Sequence, residues 1–337
     1  MRLLLIITAL FIFIHVSAQE NKVKIDSSYI RKYNDKFILK VGIKNAGESF
    51  GVRGNSVNYD LKPNTELKTK VWFNYRFIAF SLGFAPNYLG GNNDDDRKGK
   101  SELKSIGLNL IFPHWVQHFG YSKTKGYYIS NTSDIIEDWD KYKGAYIQFP
   151  ELLVENFSGY TAYKFNKNYS VKAVSDQTEH QIKSCGSLMA FLLYRYYSID
   201  NKATITASNS TQKSQNFETT AQLGYFYTYV WHRNFYISAG AAAGLGFINS
   251  QLLTRTIEEE INSHNLDPLA RLEAQCAMGY NSNRFFGGIQ ITGSIQKHPQ
   301  GKSTASIEDN SLDLQVFLGY RFGMIKGINH LFDKYGL

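Results

Sequence analysis

Leu67, Thr69, Val71, Phe73, Tyr75 and Phe77 share one parity of the chain, with Lys68, Lys70, Trp72, Asn74 and Arg76 on the other. After a short break Ile78, Phe80, Leu82 and Phe84 alternate with Ala79, Ser81 and Gly83. Side chains of an extended strand point to opposite faces in turn, so this period of two predicts two strands joined by a tight turn. The design recurs in residues 217–230 with 235–247, 269–280 with 284–296, 104–112 with 114–121, and 169–179 with 184–198. In each pair the bulky apolar residues hold one face, and glycine, serine, glutamine and charge hold the other.

A soluble sandwich would alternate in the same way. Two features point instead to a membrane. Many of these segments reach ten or more residues, near the 9–11 of a tilted spanning strand and above the roughly 5–6 of a soluble one. The connections also alternate in length: very short turns on one side, and polar stretches near residues 86–101, 123–167, 198–215, 249–268 and 297–310 on the other. Short inner turns with long outer loops are the arrangement of outer-membrane barrels. Thirteen candidate strands appear once residues 36–44 and 48–60 are counted. An even number is expected when both ends lie in the periplasm, so one early candidate is surplus and twelve strands are predicted.

Composition agrees, with 23 Tyr and 23 Phe against 6 Pro. Arg2, the apolar run Leu3–Val16 and the small residues Ser17 and Ala18 form an export signal cleaved after Ala18. That run is shorter than the roughly 20 residues a spanning helix needs, and nothing later is longer. Residues 19–35 then read as a periplasmic lead-in, 36–322 as the barrel, and 323–337 as a tail whose Ile325, Ile328, Leu331, Phe332 and Tyr335 have the spacing of a short amphipathic helix. Cys185 and Cys276 fall in different strands and read as small apolar fillers. The net charge of +8 is scattered. Its expected partners are outer-membrane lipid and lipopolysaccharide, met through the outer face, and not nucleic acid.

Residues 168–198, NYSVKAVSDQTEHQIKSCGSLMAFLLYRYYS, together with LKPN, KGYYISN and YIQFPEL, resemble the family known as domain of unknown function 4421, typical of Bacteroidetes and regarded as β-barrel-like. His180 stands where the family pattern has arginine. The resemblance covers most of the mature chain and implies a fold and an outer-membrane location, without an activity.

Several groups are candidates for chemistry. Asp176, His180 and Ser184 could serve as orienting acid, base and nucleophile of a barrel lipid hydrolase; the alternative is a hydrogen-bonded rim sealing the periplasmic mouth. Lys68, Lys70, Arg76, Arg271 and Arg321 are expected to face Glu218, Glu273 and Asp313 across the lumen, which residues 123–167 could plug. Gly319, Tyr320 and Phe322 end the last strand in the manner read by the barrel-assembly machinery. The acidic run 92–96 lacks the glycine and distal glutamate of a calcium loop, and His114 and His118 would lie about 13 Å apart on a strand. No metal or other cofactor is therefore expected. The favoured reading is an antiparallel transmembrane β-barrel acting as a narrow pore or a ligand-binding surface barrel. A barrel-embedded lipid or lipopolysaccharide hydrolase and a structural or adhesive surface protein are the alternatives.

Overall fold

The computed structural model describes residues 25–45, 49–53, 58–140, 144–206, 209–297, 305–307 and 310–323, with Gly327, His330, Phe332 and Lys334 of the tail. The predicted export signal lies outside the described residues, as do most tail positions. The four described tail residues are helical, and Phe332 packs edge-on against Tyr75.

In chain order the strands are β1 (Ile30–Lys32), β2 (Lys36–Asn45), β3 (Phe50–Arg53), β4 (Asn58–Lys62), β5 (Leu67–Tyr75), β6 (Ile78–Phe84), β7 (Glu102–Ile111) and β8 (Trp115–Ile129). They continue as β9 (Gln148–Lys164), β10 (Glu179–Gln181), β11 (Cys185–Asn201), β12 (Thr211–Trp231), β13 (Phe235–Arg255) and β14 (Glu260–Asn281). Last come β15 (Phe285–Lys297), β16 (Ala305–Ile307) and β17 (Asn310–Gly323). Twelve of them, β2, β5 to β9, β11 to β15 and β17, pair antiparallel in a ring that β17 closes on β2, from Gln315 opposite Lys44 to Gly323 opposite Lys36. Closure matters in lipid, where an open edge would leave backbone donors and acceptors without partners.

The alternation read from the sequence sets which face is which. Leu312 and Leu318 are 68% and 72% exposed, whereas Phe317 and Arg321 on the other parity of the same strand are 2% exposed. Val41, Phe73, Leu82, Leu223, Leu272 and Ile289 likewise face outward, and Trp72, Asn74, Ser81, Thr220 and Gln222 inward. Aromatic rings gather at strand ends beside the short turns, among them Trp231, Phe235 and Tyr280. The β12–β13 turn places His232 and Arg233 at φ 46° and 63°, the consecutive left-handed residues that a tight hairpin demands.

The count of twelve holds, with one early candidate surplus, and three other expectations need correction. The surplus early candidate is residues 48–60, whose described strands β3 and β4 pair with each other and are not members of the ring; β4 joins the upper end of β8 through Leu61 and Lys62. The partner of β11 is β9, not residues 169–179. The stretch 123–167 is therefore no plug: up to Lys164 its described residues are the top of β8, a connection and β9. Residues 165–184 take the place inside the barrel. Finally, the stretch 249–268 is no loop, because β13 and β14 run on through most of it and turn between Arg255 and Glu260. At 21 and 22 residues these strands exceed the span of a bilayer and carry the wall above it.

The register explains why β9 was missed. Pro150 sits where the β8–β9 register shifts, between Lys125 opposite Leu153 and Tyr127 opposite Phe149. The ladder does not call on its absent N–H there. Across from it Gly126 takes φ 87°, and a Cβ would meet the Lys100 carbonyl at 2.2 Å, so only glycine fits.

Candidate functional site

The short-turn side of the barrel has one long connection, and it folds inward. Residues 165–184 leave β9, enter the lumen and return to β11. Their strand β10 pairs with β1 of the lead-in, Ile30 opposite Gln181 and Lys32 opposite Glu179. Tyr169 packs with Val116, Met189 and Phe226, and Val174 with Tyr236 and Ala277, so apolar anchors hold both flanks.

Between the anchors, the wall supplies donors to the segment's backbone. Lys40 Nζ donates to the Ser175 carbonyl at 2.6 Å, Asn74 Nδ2 to Asp176 O at 2.6 Å, and Asn281 Nδ2 to Glu179 O at 3.2 Å. Arg321 Nε and Nη2 both donate to Gln177 O, at 3.1 and 2.7 Å; Nη2 also reaches Asn281 Oδ1, and Nη1 donates to Ser282 O. The guanidinium lies over the rings of Tyr33 and Phe286, at 4.1 and 4.6 Å. An irregular backbone inside a membrane barrel must find its hydrogen bonds from the wall, and strands from several sides supply them. Gln177, at φ 61° and fully buried, holds a left-handed conformation that costs a non-glycine residue about 1–3 kcal/mol. The two Arg321 donors on its carbonyl, with Asn74 and Asn281 holding the carbonyls of Asp176 and Glu179, over-determine that turn.

The residues proposed as a triad all lie in this segment, but the structure gives each a different partner. Asp176 Oδ1 accepts from Asn109 Nδ2 at 3.3 Å. His180 Nε2 meets the Arg233 carbonyl at 2.7 Å, and its Nδ1 lies 3.4 Å from the Tyr33 hydroxyl. Ser184 Oγ accepts the Val230 N–H at 2.9 Å, so it pins β11 to β12. Burial raises the Asp176 carboxyl against the pull of Lys40, and burial lowers the His180 imidazole. Glu179 feels the same burial, yet the Lys172 ammonium and the Ser170 hydroxyl outweigh it and hold the carboxyl low. The arrangement is that of an interior hydrogen-bonded seal.

Above the seal the lumen widens into a cavity of about 910 Å³. Of the residues expected in the lumen, Lys68, Glu218, Arg271, Glu273 and Asp313 line it, while Lys70 lies on the inward parity of β5 between Lys68 and Trp72. Arg321 lies below, in the seal. Arg76 is in the β5–β6 turn, where Nε donates to the Tyr75 hydroxyl and the Asn34 carbonyl. The cavity's charges are largely paired: Arg195 with Glu218 at 2.8 Å, Lys44 with Asp313 at 3.0 Å and Arg271 with Glu273 at 3.1 Å. Higher still, Phe50, Leu61, Tyr127, Leu152 and Tyr197 form an apolar cluster beneath the β3–β4 hairpin.

The other candidates resolve locally. His114 Nδ1 bonds the Lys164 carbonyl at 2.8 Å, and His118 pairs with Asn109 while stacking on Tyr160. Asn92 folds the loop after β6 by bonding both backbone groups of Leu67. Among the described residues no cluster of three metal-ligating side chains occurs. Tyr320 packs edge-on against both Phe285 and Phe322 at the barrel rim, and Phe286 fills the space beside Gly319.

What sequence reading missed was the wall's contribution. Lys40, Asn74, Asn109 and Asn281 are single polar residues on inward parities, and nothing in their spacing marks them as a set.

The family model described as Domain of unknown function (DUF4421) matches residues 24–322. Among solved structures the chain is similar to the β domain of the Bordetella autotransporter Brka, at 11% identity over 86% of this chain and 100% of that one, TM-score 0.37. It is similar to an outer membrane channel from Pseudomonas putida F1 at 9% identity over 89% and 100%, TM-score 0.37. It also resembles the copper transporter OprC at 10% identity over 88% of this chain and 44% of that one, TM-score 0.36. No curated protein matches the chain.

Proposed function

The chain belongs to the family of domain of unknown function 4421, and from that premise we propose that it is an outer-membrane barrel with a blind vestibule, a surface protein that binds a small polar ligand at a lumen closed from below. The carrying observation is the inward fold of residues 165–184. Lys40, Asn74, Asn281 and Arg321, drawn from four strands, hold its carbonyls. A constitutive pore has no use for such a floor. The cavity above it is large enough for a ligand and is lined by charge, which suits a polar solute rather than a lipid tail. The apolar outer face and the aromatic rim support placement in the outer membrane, with the short turns in the periplasm and the vestibule open to the outside.

Thiol labelling of intact cells tests this reading. With Cys185 and Cys276 replaced by alanine, a cysteine placed at Ser294, a cavity-lining position on β15, reacts with a bulky membrane-impermeant maleimide, and one placed at Ser170 in the seal does not. Equal labelling at the two positions, or none at Ser294, contradicts a vestibule that opens outward above a closed floor.

A further inference from the structure

We propose that the wall of the vestibule formed by β2 and β5 is a phosphate-binding site centred on Lys70, an inference that rests on the vestibule reading and names the ligand class it takes. Lys40 and Lys44 on β2, and Lys68 and Lys70 on β5, share the inward face of two neighbouring strands, and the register sets Lys44 directly opposite Lys68. Like charges facing each other across a strand pair repel, and the Asp313 carboxylate bound to Lys44 offsets that repulsion on one side.

The cations differ in what already holds them. Lys44 is bound to Asp313, Arg195 to Glu218, and Arg271 to Glu273. Lys40 donates to the Ser175 carbonyl and lies 4.2 Å from the Trp72 ring. Lys70 has neither a hydrogen bond nor an ion pair with any described residue, and its ring contact is Trp72 at 5.2 Å. Its cross-strand neighbours are Gly42 on one side and Gly83 on the other, which have no side-chain acceptor to offer. The acid that reaches it electrostatically is Asp176, which also serves Lys40 and accepts from Asn109.

A lysine on the inward face with no ion pair of its own among the described residues is where an incoming anion gains most. Residues two apart on one strand face are separated by about 7 Å, and directly opposite neighbours by about 5 Å. Lys44 and Lys68 line the cavity and Lys70 follows Lys68 on the same inward face, so one multiply charged phosphate group can engage all three. A carboxylate, with one charge, would engage fewer. The phosphate can be carried by a soluble ester or by the headgroup of a phosphorylated glycolipid, which offer the same chemistry.

The test is calorimetric titration of the full barrel in a maltoside detergent, which contains no phosphate, with inorganic pyrophosphate as the probe. Saturable binding is expected for the wild type. Lys70→Met, checked as folded by its heat-dependent gel mobility, should weaken binding about tenfold. Lys123→Met, which removes a cation paired with Glu155 on the upper part of β8, should bind as the wild type does. Competition by a phosphorylated glycolipid in mixed micelles identifies the headgroup source, and competition by soluble phosphate esters alone identifies the free one. A wild type that takes up no pyrophosphate, or a Lys70→Met variant that binds as tightly as the wild type, overturns the site. If Ser294→Cys is labelled from outside in that same case, the vestibule stands and only the ligand class falls.

Discussion

At the scale of single residues, the decisive groups are those that satisfy a backbone inside the barrel. His180 is one of them. Burial holds its imidazole below the ordinary value of about 6.5, with Nε2–H donating to the Arg233 carbonyl and Nδ1 toward the Tyr33 hydroxyl. Arg31 and Arg321 add positive potential on the same side. A histidine whose folded value is depressed contributes stability that is complete above the unfolded value and is lost as pH falls through it toward the folded one. Amide exchange of Glu179–Gln181, corrected for its intrinsic pH dependence, should therefore accelerate as pH drops from 7 to 5. Asp176, whose carboxyl burial raises, acts in the opposite sense, so the comparison is with His180→Gln, which should flatten the dependence. The same slope in both proteins would remove His180 from the seal's energetics. In the sequence this histidine was legible as unusual but not as a brace, because its partners are a carbonyl and a hydroxyl from segments remote in the chain.

At the scale of elements, strand parity was legible wherever a strand faces lipid on one side and the lumen on the other. The outward Leu312, Leu314, Val316 and Leu318 leave no ambiguity of register. The exchange of roles between β9 and residues 165–184 was not legible. Pro150 and the acids of residues 151–155 made a genuine strand look like a loop, and the alternation in residues 169–174 made the seal look like a strand. What separates them is pairing: β9 has a partner on each side along most of its length, while residues 169–178 make side-chain contacts to the wall. The two segments should respond oppositely to damage. Ser158→Pro removes a ladder donor from the middle of β9 in a setting where an unpaired backbone group costs several kcal/mol, and should abolish the heat-modifiable folded band. Replacement of residues 169–178 by a flexible glycine-serine linker should leave that band intact. A folded Ser158→Pro variant beside a linker variant that fails to fold would reverse the assignment.

At the scale of the whole molecule, the sequence carried the strand count, the closure and the side of the wall that meets lipid, since each follows from a period of two and from loop lengths. The state of the lumen was out of reach. Whether a barrel of twelve strands is open depends on where a few polar side chains meet a connection that could equally have stayed outside, and pattern alone does not encode that meeting. The charge pairs of the vestibule, the donors beneath it and the pairing of β1 with β10 together describe a cup with a wall of strands and a floor of ordered backbone. Planar-bilayer recording tests that description most directly. The wild-type barrel should insert without conductance steps, and the variant with residues 169–178 replaced by a glycine-serine linker should give steady ion-conducting steps. Steady steps of equal size from both proteins would contradict it.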